Sequence, residues 1–185
     1  MSNNIPPEEE RFAKNTVIMA QAVETSISKL YNAGYQVVNP IIIKMATGVV
    51  QSFDKEYLIQ GFIENSHQKC WGEIKQRNET FFVANASDIF KYLPMDKVNL
   101  FKDLFTIKDS SGKSVISQDV KDEIWGLFDA MIKISIKYVH RKREPYSYID
   151  NEYVINAYKL SFFDDIDLNH HANIWSVKLE FPARV

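Results

Sequence analysis

The stretch QDVKDEIWGLFDAMIKISIKYVHRKR, residues 118–143, is apolar at Val120, Ile124, Leu127, Met131, Ile134 and Tyr138, in alternating steps of four and three. An α-helix brings all six to one side. Trp125, Phe128, Ile132, Ile136 and Val139 widen the stripe beyond a single seam, so most of this helix is expected to be buried, as the central helix of the fold. Ser117 stands where a capping hydroxyl is needed. The thin polar edge is Asp129, Lys133 and Lys137, and Asp129 precedes Lys133 by four residues, the favourable order for a helical ion pair.

The flanking sequence extends the same reading. Pro6 and Pro7 followed by three glutamates predict a helix start, with Gly34 as the stop after about Asn32 and Phe12, Val23, Ile27, Leu30 and Tyr31 on its buried face. Asn39-Pro40 opens a second helix to about Phe53, although the run VVNPIII also suits a short strand. Asp54 caps KEYLIQGFIEN, and a helical rhythm through Trp71, Ile74, Phe81, Phe82, Ile89, Phe90 and Leu93 stops before Pro94. This segment is one long helix, or two joined near Asn85 to Asp88 with Ser87 as the second cap. Asp96 opens KVNLFKDLFTI, and KDSSGKS is a loop.

Beyond Glu144-Pro145 the pattern changes. Trp175, Val177, Leu179 and Phe181 alternate with polar residues as in a half-buried strand, and YSYIDNEYVINAYKLSFF either pairs with it as a hairpin or forms a helix. The expected fold is mainly α: a compact bundle of five to six helices with a small C-terminal β element. It forms a single domain over 1–185, with a helical core at 1–144 and an extension with a β-hairpin at 145–185. With 185 residues, 45% of them apolar and 13% aromatic, the chain has material for one sizeable core.

A net charge of −2 gives no overall attraction to nucleic acid or anionic membrane. No apolar run reaches the roughly 18–20 residues of a membrane span. The single cysteine, Cys70, excludes an intramolecular disulfide, and the N-terminal residues lack a signal-peptide pattern, so an intracellular, cytoplasmic, non-secreted protein is expected.

Candidate chemistry is sparse. His67 and Cys70 stand three apart, but a structural zinc site needs four ligands, and the remaining histidines are His140, His170 and His171. Asp165, Asp167 and Asn169 occupy the first, third and fifth places of a calcium loop, which then fails: His170 stands where glycine is needed and Ser176 where the bidentate glutamate belongs. The reading is therefore no metal and no cofactor, with His67, Cys70, Asp165, Asp167, His170 and His171 as the weak metal candidates. SSGKS, residues 110–114, lacks the first glycine of a phosphate-binding loop, since Ile107 stands there. Lys137, His140, Arg141, Lys142 and Arg143 crowd the end of the central helix. They either hold phosphates or an acidic partner, with Tyr138, Tyr146 and Tyr148 for stacking, or simply offset the helix dipole.

The aromatic-rich helices, the abundance of asparagine and lysine, and the stretch VKDEIWGLFDAMIKISIKYVH resemble small helical accessory or virion-associated proteins of large cytoplasmic DNA viruses. The resemblance implies a viral accessory or virion component and assigns no site residue. The expected function is a non-enzymatic interaction or structural protein, self-associating or bound to a protein partner within an oligomer or larger assembly. The alternatives are nucleic-acid binding through the 137–143 cluster and an enzyme with an unrecognised site.

Overall fold

A computed structural model describes residues 6–149, except the side chains of residues 67–69 and 97. Six α-helices and one 3₁₀ turn follow in order: α1 Glu8–Asn32, α2 Pro40–Gln51, α3 Lys55–Lys75, α4 Glu79–Ile89, α5 Met95–Thr106, α6 Gln118–Lys142 and the turn Glu144–Tyr146. Among the described residues no strand forms; a single antiparallel bridge joins Lys108 and Ser114. The mainly helical bundle is thus present. The expected C-terminal β element lies outside the described residues.

Helix starts follow local chemistry. The side chains of Asn39, Asp54 and Ser117 accept from backbone N–H groups of the first turns of α2, α3 and α6. Gly34, at φ 88°, follows α1 in the left-handed conformation that closes helices. Pro40 begins α2 directly, so the strand alternative for VVNPIII does not hold. Pro94 sets the start of α5 one residue before Asp96, which lies in its first turn.

The buried side of α6 includes thirteen residues, from Val120 to Val139, and packs against α1 and α3. Phe82 of α4 is fully buried, with ring centroids of Phe90, Phe101, Phe105, Trp125 and Phe128 at 6.2, 5.8, 5.5, 5.5 and 5.1 Å. Phe62 extends this cluster from Phe90 (6.1 Å) to Phe12 of α1 (5.4 Å). Tyr31, expected on the buried face of α1, is instead exposed in its last turn.

The joint between α3 and α4 is at residues 76–78, not at 85–88. Arg77 adopts φ 58°, and Asn78 then caps α4 through a bond from the Phe81 N–H at 3.0 Å. Asn85 and Ser87 lie inside α4, where the Asn85 amide donates back to the Phe81 carbonyl. The Arg77 guanidinium reaches α6, donating to the Trp125 carbonyl (3.2 Å) and to Asp129 (2.5 Å). The carboxylate that spacing pairs with Lys133 is therefore taken by a residue 52 positions away.

Two substitutions test these joints. Arg77→Ala removes both bonds and, like arginine, bears a Cβ that the left-handed backbone disfavours; the lost bonds should cost about 1–3 kcal/mol. Arg77→Gly should cost less than Arg77→Ala, reversing the usual helix ranking; urea midpoints in the opposite order would refute the left-handed joint. At Gly61, a Cβ would come within 2.5 Å of the Tyr92 ring. Gly61→Ala should therefore lower the thermal midpoint, whereas Gly72→Ala, with nothing within 4 Å of its added carbon, should raise it.

Candidate functional site

α2, PIIIKMATGVVQ, contains one charged residue and is apolar on both sides. Ile43, Ala46, Thr47 and Val50 face inward and α2 packs mainly on α1, where the Thr47 hydroxyl donates to the Glu24 carboxylate at 3.0 Å. The opposite side is open: Ile41, Ile42, Met45 and Val49 are 69, 47, 70 and 44% exposed. At spacings of three and four these side chains form one stripe about two turns long. A helix that is apolar all round normally has both sides covered, so one face of α2 has no partner among the described residues.

Beside α2 lies a small apolar crevice, about 80 Å³ in volume, where α1, α2 and α5 meet. Met19, Val23, Ile43, Val50, Leu93 and Phe101 contribute to its walls. Its two hydroxyls are engaged: Thr16 donates to the Phe12 carbonyl at 2.9 Å, and Thr47 to Glu24. The crevice can thus take an apolar group and has no spare hydroxyl for acid or base work.

Lys137, His140, Arg141 and Lys142 lie in the last two turns of α6, and Arg143 is its C-cap at φ 50°. Arg141 donates to Glu8 (2.8 Å) and Glu9 (2.5 Å), and Lys142 to Glu56 (3.4 Å). Acidic first turns of α1 and α3 therefore meet the basic last turn of α6, each charge on the favourable end of its helix. Partial desolvation works against the Arg141 charge, but the bond and field of Glu8, with Glu9, outweigh it and raise its pKa. Both cations also lie over the Tyr138 ring, at 5.4 and 5.6 Å. Tyr138 and Tyr146 are buried, so of the three tyrosines offered for stacking only Tyr148 is exposed.

The metal candidates do not assemble among the described residues, where no three His, Cys, Asp or Glu side chains are grouped to hold an ion. Cys70 is buried in the core of α3, next to Trp71, whose indole N–H donates to Ser66 at 2.8 Å. The side chain of His67 lies outside the described residues, as do Asp165, Asp167, His170 and His171. SSGKS forms a turn: Asp109 accepts from the Ser111 hydroxyl and from the Ser111 and Lys113 N–H groups, and these bonds lower its pKa. No described helix is long and apolar enough to cross a membrane.

In the sequence Ile41, Ile42, Met45 and Val49 look like any other apolar positions of a helix, with nothing local to mark them as open surface. The available signal is that α2 is apolar at both its inward and outward positions.

Because the Arg141 pairs are partly exposed, Arg141→Ala should cost no more than about 1 kcal/mol, and less at high salt. Urea midpoints at low and high ionic strength would show this, and a large salt-independent loss would contradict it. Compared with known proteins, the chain matches no family model, no curated protein and no solved structure.

Proposed function

We propose that this chain is a non-enzymatic interaction protein that docks an apolar helix of a protein partner on the outer face of α2, as one component of an oligomer or larger assembly. The observation that carries this reading is the open stripe of Ile41, Ile42, Met45 and Val49. Exposed apolar patches that are contiguous and rimmed by polar groups mark interaction sites. A stripe two turns long and nearly uncharged suits the apolar face of another helix, read at positions three and four apart. The resemblance to viral accessory proteins agrees with a component of an assembly.

The nucleic-acid alternative draws less support. Arg141 and Lys142, the centre of the basic cluster, already hold three glutamates of the same chain, and phosphates would have to displace them.

An apolar dye tests the docking face. Emission of 1-anilinonaphthalene-8-sulfonate should rise on mixing with the wild-type chain and rise severalfold less with Met45→Glu, while the far-ultraviolet helical signal stays unchanged. Equal emission from the two proteins would remove the α2 face as a docking surface.

A further inference from the structure

We infer that the helix seated on α2 is α2 of a second copy of this chain, antiparallel and centred on Met45; this rests on the reading of α2 as a docking face. Twofold pairs use one surface twice, so the surface must complement itself. An axis at Met45 brings level those positions whose numbers sum to about 90, given the uniform rise of a helix. Met45 then meets Met45 of the second copy. At about 100° per residue, Ile41 and Gly48 fall on one flank of Met45, and Ile42 and Val49 on the other. The twofold axis keeps each flank together, so Ile41 lies over Gly48 of the second copy and Ile42 packs against Val49 of the second copy. On one flank a large side chain meets the smallest residue, and on the other two branched side chains meet.

Gly48 is the second observation. Glycine inside a helix costs about 0.5–1 kcal/mol relative to alanine. Nothing lies within 4 Å of a Cβ added at Gly48, so no neighbour among the described residues calls for glycine there. A helix crossing at that point does, because it needs the space for Ile41.

Charge and area set the strength. The one charged residue of α2, Lys44, falls on the rim, and the two copies of it lie on the same side. Their weak repulsion is screened by salt, so the pair tightens as ionic strength rises. The four open residues offer on the order of 400 Å² per copy, about half of a standard interface, which describes a reversible dimer in exchange with monomer.

The test uses the full chain. Sedimentation velocity over a concentration series should show a monomer–dimer equilibrium that shifts toward dimer with added salt. Gly48→Ala should raise the thermal midpoint of the dilute protein and weaken the dimer severalfold. Under copper–phenanthroline oxidation, Met45→Cys should form a disulfide-linked dimer. Val49→Cys should not, because its two copies lie about 12 Å apart along the helix axis. The wild type, whose Cys70 is buried, serves as the blank. Equal cross-linking at positions 45 and 49 would overturn the antiparallel register. A monomer at every concentration, with dye emission still lowered by Met45→Glu, would overturn the second copy as partner and leave the docking face standing. A monomer with dye emission unaffected by Met45→Glu would overturn both.

Discussion

The Phe82 ring is the point on which α4, α5 and α6 converge. Phe101 and Phe105 come from α5, Trp125 and Phe128 from α6, and Phe90 from the end of α4, with Phe82 fully buried among them. Tilted and edge-on rings at these separations add about 0.5–1.5 kcal/mol per pair beyond area burial, and they fix relative orientation as aliphatic contacts do not. For α4 to deliver Phe82 there, the chain must turn after α3. That turn is what the left-handed backbone of Arg77 provides, and the guanidinium then ties the turn to the α6 backbone beside Trp125.

What could be read from the sequence was what local chemistry decides. Asn39, Asp54 and Ser117 cap their helices because a short polar side chain can reach an N–H two or three residues ahead wherever the rest of the chain lies. The burial of α6 was visible because twelve apolar residues leave it little other surface. The turn at Arg77 was not: arginine at positive φ has no sequence signature, unlike glycine, and its partners Trp125 and Asp129 lie 48 and 52 residues away. The ionic partners were hidden for the same reason. Arg141 and Glu8 are 133 residues apart, and nothing local tells arginine awaiting phosphate from arginine awaiting glutamate.

The candidate site was half legible. The apolar character of Ile41 and Ile42 stands in the sequence, but whether a face is covered depends on where every other helix goes. Phe62 and Met45 are both apolar and both lie in helices; one is fully enclosed and the other is 70% exposed. The basic run at 140–143 drew attention because charge clusters are conspicuous in a sequence. In the fold it fastens the end of α6 to the starts of α1 and α3.

The peripheral seat of α2 bears on how the molecule opens. α6 is held by α1, α3 and the aromatic cluster, whereas α2 rests mainly on α1 and adjoins the crevice on the α5 side. Local unfolding starts where a segment can leave without disturbing its neighbours, and α2 buries only Ile43, Ala46, Thr47 and Val50, mainly against α1. Its amides should therefore exchange with solvent through a partial opening that spares α6, and a molecule seated on its outer face would slow that exchange selectively. α2 is then both a surface for binding and a segment whose protection reports, amide by amide, whether anything is bound.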